Sequence, residues 1–533
     1  MHQLSTNIKF LAEYSLLSIE MNRCYNSSQM QKSIKNMANR AIVLISSERF
    51  FYLIMVIFVL QAGWLAVSAS FPMIFDEYYH PGLIDLYSKQ LSPFIKIQTP
   101  ESIGTFGDIT RLPGTLFHYL LSFPYRIITS ITDSFYVSII SLRLFNVGFV
   151  IGGLIIYRKL LLEMGMSKAV SHASLSLLTL IPLFIYISAN INYDNLIFLL
   201  TPAFLLYGLS ILRGKNMLVI NLLIFLSIGM VASLVKFSFL PVFAVAFLFV
   251  TAAVYKIGIT NCVRSARKDL SKVSLATILP LILIFLVSSG LFAERYAVNL
   301  LRYGNVTVKC DEVHRLEYCA EQPVFSRNLN AKREQSLNPT ETLDLPQYTL
   351  SIWLPNMLKS LVNVNANIGA SEQLGYDNSA KSEYRGGTSV MVFAIWSLVT
   401  FALFIIIYSL RDLKKTNNFW FFATIILFYL FSVWIYTNFR GYSTLGQAFA
   451  IQPRYFVLLL PLIIGYCVLA TSITIKNRVY KVALFAGVLL LLTQGGGITT
   501  YIIRSHEGWY WQRETIVETN MNIKDTISPF IKE

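Results

Sequence analysis

Apolar runs of about 18 residues or more, separated by polar links, recur along most of the chain. Runs of that length cross a hydrocarbon core about 30 Å thick as helices. Eleven are present: 51–71, 135–157, 169–188, 196–212, 217–234, 238–255, 273–293, 389–410, 419–436, 455–474 and 482–503. The pattern predicts an all-α polytopic transmembrane helix bundle of about 11 spans, and the stretch 113–128 reads as a re-entrant or interfacial helix. Two links are long, 72–134 and 294–388, and long extramembrane segments usually carry function. The predicted organisation is a tail at 1–50, a transmembrane module at 51–293 with the outer loop 72–134, and an outer subdomain at 294–388. A second transmembrane module follows at 389–503, then an outer tail at 504–533. No repeat of fixed period is visible, which gives no support to solenoids or inverted-repeat transporters.

Composition sharpens this reading. Hydrophobic residues make up 55% of the 533 and charged residues 14%, with a mean hydropathy of +0.56. An average soluble domain carries about a quarter of its residues charged, so an ordinary soluble protein is excluded. The formal charge of +15 would suggest nucleic acid in a soluble chain, but topology accounts for it. If 1–50 is cytoplasmic, that tail and the links 158–168, 213–216, 256–272, 411–418 and 475–481 face inside. They hold 22 of the 44 basic residues and six of the 29 acidic ones. The remainder is nearly neutral, as the positive-inside rule demands, and no nucleic-acid partner is expected. Residues 1–50 lack the order of a cleaved signal peptide. Of five cysteines, Cys310 and Cys319 alone share a polar segment. One local disulfide is expected there if the segment faces an oxidising compartment. With only His314 between them and no second Cys/His pair, zinc is less expected than a disulfide or two thiols.

Candidate chemistry gathers at the outer ends of the spans. Asp76, Glu77 and His80 follow the first span directly, in the run Phe-Asp-Glu-Tyr-Tyr-His at 75–80. A carboxylate held near lipid is costly unless paired, solvated or used, although an acidic pair also caps helices. Asp76, Glu77 and His80 offer up to three ligands for Mg or Mn, in a spacing that matches no metal signature. Asp108 and Arg111 lie in the same outer loop, with His118 and Arg126 in an amphipathic stretch beyond. Asn190, Asn192 and Asp194 form a short outer turn, Lys236 another, and Arg440 and Arg454 flank a third. Each cation taken singly is explained by snorkelling. So is Arg143, eight residues inside the second span. Together, carboxylates and cations at many span ends suit a site that abstracts a proton while holding a lipid phosphate. The run Gly495-Gly496-Gly497 ends a span and reads as a packing or kink feature.

These features resemble the type C glycosyltransferases: an acidic pair after the first span, a long first outer loop with an amphipathic helix, about ten further spans and a late outer subdomain. More narrowly, four pieces are similar to the bacterial family catalogued as domain of unknown function 2142. They are Asp76-Glu77-Tyr78-Tyr79-His80, Asn192-Tyr193-Asp194-Asn195, Leu234–Pro241 around Lys236, and Gln452-Pro453-Arg454-Tyr455-Phe456. Phe75 and Pro453 stand where that family tends to have Pro and Gly. Pro453 removes a backbone donor beside the expected phosphate site.

The resemblance implies transfer of a sugar, with inversion, from a polyprenyl-phosphate-linked donor to a glycan or lipid acceptor. The site would lie at the outer face of a bacterial cytoplasmic membrane, with the N-terminus inside. Asp76 would be the general base, and Glu77 or His80 would orient it or help hold a divalent ion. Arg454, with Lys236 or Arg440, would stabilise the leaving phosphate. Asp108 and Arg111 would pair with each other and shape the acceptor side, and Asp194 and Tyr455 would contact substrate. Three other classes remain open. A polysaccharide polymerase or ligase acting on lipid-pyrophosphate oligosaccharide would keep its essential groups in the late loop. A transporter or flippase would carry charges near the bilayer midplane. An assembly factor would need no chemistry at all.

Overall fold

The computed structural model describes residues 30–73, 76–214, 217–258, 269, 271, 273–339, 341–362, 389–494, 501–502 and 507–527. Among these every regular element is helical, apart from one isolated antiparallel bridge between Ala69 and Tyr510. The Gly495–Gly497 run, most of the first 50 residues and the stretch 363–388 of the outer subdomain lie outside the described residues.

A helix over 30–45 (α1) precedes α2 (Glu48–Ser68), whose N-cap Ser47 accepts a hydrogen bond from the Phe50 amide. The long link after α2 folds as α3 (Tyr79–Ser88), α4 (Pro100–Phe106) and α5 (Leu116–Ile131), so the amphipathic stretch forms a real helix. Then come α6 (Phe135–Glu163), α7 (Lys168–Leu178), α8 (Pro182–Ser188), α9 (Tyr193–Leu212), α10 (Leu218–Val235), α11 (Leu240–Ile257) and α12 (Leu275–Phe292). Short helices follow: α13 (Val298–Tyr303), α14 (Cys310–Val313), α15 (Leu316–Cys319), α16 (Pro323–Leu337), α17 (Leu345–Tyr348) and α18 (Leu354–Val362). The chain ends with α19 (Ser389–Leu413), α20 (Phe419–Phe431), α21 (Arg440–Leu445), α22 (Leu460–Thr474), α23 (Arg478–Gln494) and α24 (Glu514–Ile527).

Eight of the described helices are long and apolar enough to cross a membrane, and a ninth span exists if α7 and α8 count as one. The sequence predicts a single span over 169–188. The structure instead bends it by 76° between α7 and α8. Pro182 opens α8, and the residue before a proline is driven out of the helical region; Ile181 is extended at φ −69°, ψ 121°. The two last predicted runs correspond to α22 and α23, which are shorter than the other spans.

Two helices overrun their predicted ends. A π-helical turn at Ala293–Ala297 carries α12 on into α13, and another at Ser432–Phe439 carries α20 into α21. The first composite runs 29 residues, Leu275–Tyr303. At 1.5 Å per residue that is about 44 Å, well beyond a core of about 30 Å, so its last turns project outside the apolar slab. These projections set Glu294, Arg295 and Asn299 against the first long link, and Tyr442 against Tyr348 with ring centroids 4.8 Å apart.

One contiguous apolar core joins α2, α6, α8, α9, α10 and α20 to the C-terminal segment. Helices α6 and α9 approach so closely at Gly153 that an added Cβ would stand 2.5 Å from Phe198. Small residues allow such contact between membrane helices. The charged groups sort into two ends. Glu48 bonds Arg158 and Lys168, and Glu163 bonds Arg213, all in segments predicted to lie inside. Asp76–Arg454, Asp194–Lys236, Arg111–Glu294 and Asp108–His314 join segments predicted to lie outside.

A candidate active site at one end of the bundle

Three chain reversals meet at this end. The first is the turn after α2, where Asp76 holds φ at +64°, a left-handed backbone that is uncommon outside glycine. The second is the start of α9, where Asn192 caps the helix by accepting from the Asp194 amide at 2.9 Å. The third is the 3-10 turn Pro453–Phe456 that leads into α22. Lys236 sits between α10 and α11 and joins them from a fourth.

Arg454 donates through Nη2 to Asp76 Oδ2 at 2.9 Å. The pair is asymmetric: the Arg454 side chain is 8% exposed and that of Asp76 52%. Behind it Lys236 donates to Asp194 Oδ1, both nearly sealed from solvent. Lys236 Nζ lies 4.9 Å from the ring centre of Tyr193 and 5.0 Å from that of Tyr455, and Arg454 stacks over Tyr455 at 5.5 Å. Aromatic faces at these distances hold cations without neutralising them. Asp194 Oδ2 is buried with no hydrogen-bond partner among the described residues. Tyr455 is itself fixed, its carbonyl accepting from the Tyr429 hydroxyl at 2.8 Å. The structure thus brings Asp76, Asp194, Lys236, Arg454 and Tyr455 together, Asp76 and Arg454 from positions 378 residues apart.

Glu77 is a different matter. It is fully buried and takes a two-point contact from Arg143, Nε to Oε1 and Nη2 to Oε2, each at 2.7 Å. Amides of Met73 and Ile191 donate to the same carboxylate. Arg143 spends its remaining donors on the carbonyls of Ala66, Ala69 and Ser70 at the end of α2. Arg143 is therefore not a snorkelling cation. It locks the turn carrying Asp76 onto α6, and Glu77 has no acceptor left for an ion or for orienting Asp76.

His80 is buried and its Nδ1 stands 2.9 Å from His118 Nε2, the rings stacked at 21°. Burial, with Arg454 and Lys236 acting in the same direction, pushes the His80 imidazole down to about 3, and burial also holds His118 well below its ordinary value. Both rings are neutral at physiological pH. Asp76, Glu77 and His80 therefore do not converge as a ligand set, and no group of three His, Cys, Asp or Glu gathers around a metal position among the described residues.

Asp108 and Arg111 do not pair side chain to side chain as expected. Asp108 Oδ1 takes the Thr110 amide and hydroxyl and faces His314 Nε2 at 3.0 Å. Arg111 binds Asn299 and both the side chain and carbonyl of Glu294. The physical reason is that each finds a partner on the late outer segment, which packs on the first outer loop. Cys310 and Cys319 form a disulfide, with Cα atoms 5.8 Å apart, in a small cluster with Ile103 of α4. Arg440 stands apart, exposed and stacked on Tyr436 at 5.1 Å.

The sequence alone does not mark Tyr193, which lies beside Asp194, and, although it offers His314 between two cysteines as a zinc candidate, it gives no role at this end to Glu294, Asn299 and His314. Nothing local signals that role, since their partners are 183 to 206 residues away. Comparison with family models, with curated proteins and with solved structures finds no match for this chain.

Proposed function

We propose that this protein is an integral-membrane glycosyltransferase that moves a sugar from a polyprenyl-phosphate-linked donor to a glycan or lipid acceptor. The Asp76 end would lie at the outer face of a bacterial cytoplasmic membrane. The observation that carries the reading is the half-exposed Asp76, on a left-handed backbone, ion-paired to the buried Arg454. Backbone held in sparsely populated regions clusters at functional positions. The Cys310–Cys319 disulfide supports an oxidising compartment on that side.

In the reaction the acceptor hydroxyl gives its proton to Asp76 as its oxygen bonds the anomeric carbon. The bond from that carbon to the phosphate oxygen breaks, and the phosphate leaves with the electron pair. Arg454 suits two-point contact with the departing phosphate, and Lys236 adds a fixed positive charge. Attack opposite the leaving group inverts the sugar. The unpartnered Asp194 Oδ2 supplies a buried acceptor for a sugar hydroxyl. Of the carboxylates here, Asp76 and Asp194 would remain to hold a divalent ion, because Glu77 is consumed by Arg143.

Donor phosphate and Asp76 compete for the same guanidinium on this account. Asp76→Ala is then expected to bind polyprenyl phosphate at least as tightly as the parent while losing turnover, and Arg454→Ala to lose both. Titration of both variants with polyprenyl phosphate checks this, and weaker binding by Asp76→Ala would contradict it.

A further inference from the structure

An apolar cavity of about 560 Å³ between α7, α19, α22 and α23 runs from Leu361 and Leu460, on the side of Arg454, to Ser472, Arg478 and Lys481 at the opposite end of the bundle. Its wall includes Ile395, Val399, Ile464, Cys467, Val468 and Phe485. That volume lies in the range of about 300–1,000 Å³ that single bound ligands fill. At its mouth stand Ile42 and Ile45 of α1, together with Ser472, Arg478 and Lys481. This is the end of Glu48 and Lys168, since His172 on α7 touches both the Ile45 carbonyl and Arg158, the partner of Glu48.

Helix α1 bridges protein and bilayer. Ala38 is buried and Ile42 and Ile45 half-buried, facing the cavity, whereas Met30, Ile34, Met37, Val43 and Leu44 are exposed. A helix with an exposed apolar stripe and basic residues lies in the membrane interface. The mouth is also strongly basic. Residues 30–47 and 471–494 carry Lys32, Lys35, Arg40, Lys476, Arg478 and Lys481 and no Asp or Glu. Arg478 donates to Asn39 Oδ1 at 2.9 Å and Lys481 to Ser472 Oγ at 3.2 Å, both neutral acceptors.

We propose that this cavity binds an anionic phospholipid of the surrounding bilayer, an acyl chain filling the apolar volume and the phosphate resting on Arg478 and Lys481. A volume that opens beside an interfacial helix and whose lining carries Arg478 and Lys481 but no carboxylate matches that occupant in shape and charge. Glu48 and Asp412, acids of this end, are paired with Arg158, Lys168 and Lys415. The site is independent of the proposed transfer chemistry, whose phosphate would sit on Arg454 at the other end.

Native mass spectrometry of the full chain in detergent, titrated with dioleoylphosphatidylglycerol, dioleoylphosphatidylcholine or undecaprenyl phosphate, tests the assignment. Phosphatidylglycerol adducts are expected to dominate and to weaken roughly thirtyfold in Arg478→Gln/Lys481→Gln, two basic contacts to an anionic lipid being removed. Maleimide labelling of Cys467, with Cys24 and Cys262 replaced by Ser, locates the acyl chain. Phosphatidylglycerol should slow labelling in the parent but not in the double variant. Equal binding of the zwitterionic lipid, preference for undecaprenyl phosphate, an unaltered double variant or unprotected Cys467 would each overturn the proposal.

Discussion

Asp76 and Glu77 are neighbours in sequence and opposites in environment. The left-handed backbone at Asp76 turns its carboxylate toward solvent and Arg454, while Glu77 points inward to Arg143. The two should respond differently to removal of charge. Glu77→Gln leaves Arg143 buried without its counter-ion, and losing one partner of a buried pair costs about 3–5 kcal/mol. Thermal unfolding in detergent should show that loss, with Glu77→Gln/Arg143→Gln less damaged than the two single variants combined. Additive losses would mean that the pair is not coupled. Asp76→Asn also deprives a buried arginine, Arg454, of its counter-ion, but at smaller expected cost, because the Asp76 side of the pair is half-exposed to water. The sequence marks both carboxylates but cannot divide their roles, because the deciding partners lie 66 and 378 residues away.

At the scale of elements, the stacked His80–His118 pair joins α3 to α5 and makes stability depend on pH. An unfolded histidine takes up its proton near pH 6.5, whereas His80 in the fold resists until about 3. Between those values the unfolded chain binds more protons, so stability falls as pH drops through 6.5. For His80 the loss from pH 7 to 5 is about 2 kcal/mol. His80→Gln is expected to flatten the dependence of the melting temperature on pH over that window, and an unchanged slope would contradict the buried neutral ring. The eight helices long and apolar enough to cross a membrane are all legible as apolar runs. The break before Pro182 is signalled locally by the proline, yet a run-length reading passes over it because the flanking residues are equally apolar. The π turns at Ala293–Ala297 and Ser432–Phe439 have no comparable signal: they arise where helices continue past the apolar slab and pack on outer segments.

At the scale of the whole molecule, the charge asymmetry read from the sequence and the sorting of ion pairs in three dimensions agree on two distinct ends. Cys310 and Cys319 join at the end that holds Asp76, against α4. If that end is outside, protein isolated from intact cells with thiols blocked should keep both cysteines unalkylated until reduction. Free thiols at 310 and 319 would place that end in the reducing compartment and reverse the orientation. Glycosyl transfer at Asp76 and Arg454 is the central proposal. The most direct measurement is transfer of radiolabelled sugar from a panel of polyprenyl-phosphate donors by the purified chain in lipid, comparing the parent with Asp76→Asn. Turnover of at least one donor is predicted, reduced by about 10²–10⁴-fold in Asp76→Asn, the range expected when a general base is removed. Undiminished turnover in that variant, or cleavage of none of the donors by the parent, would contradict it.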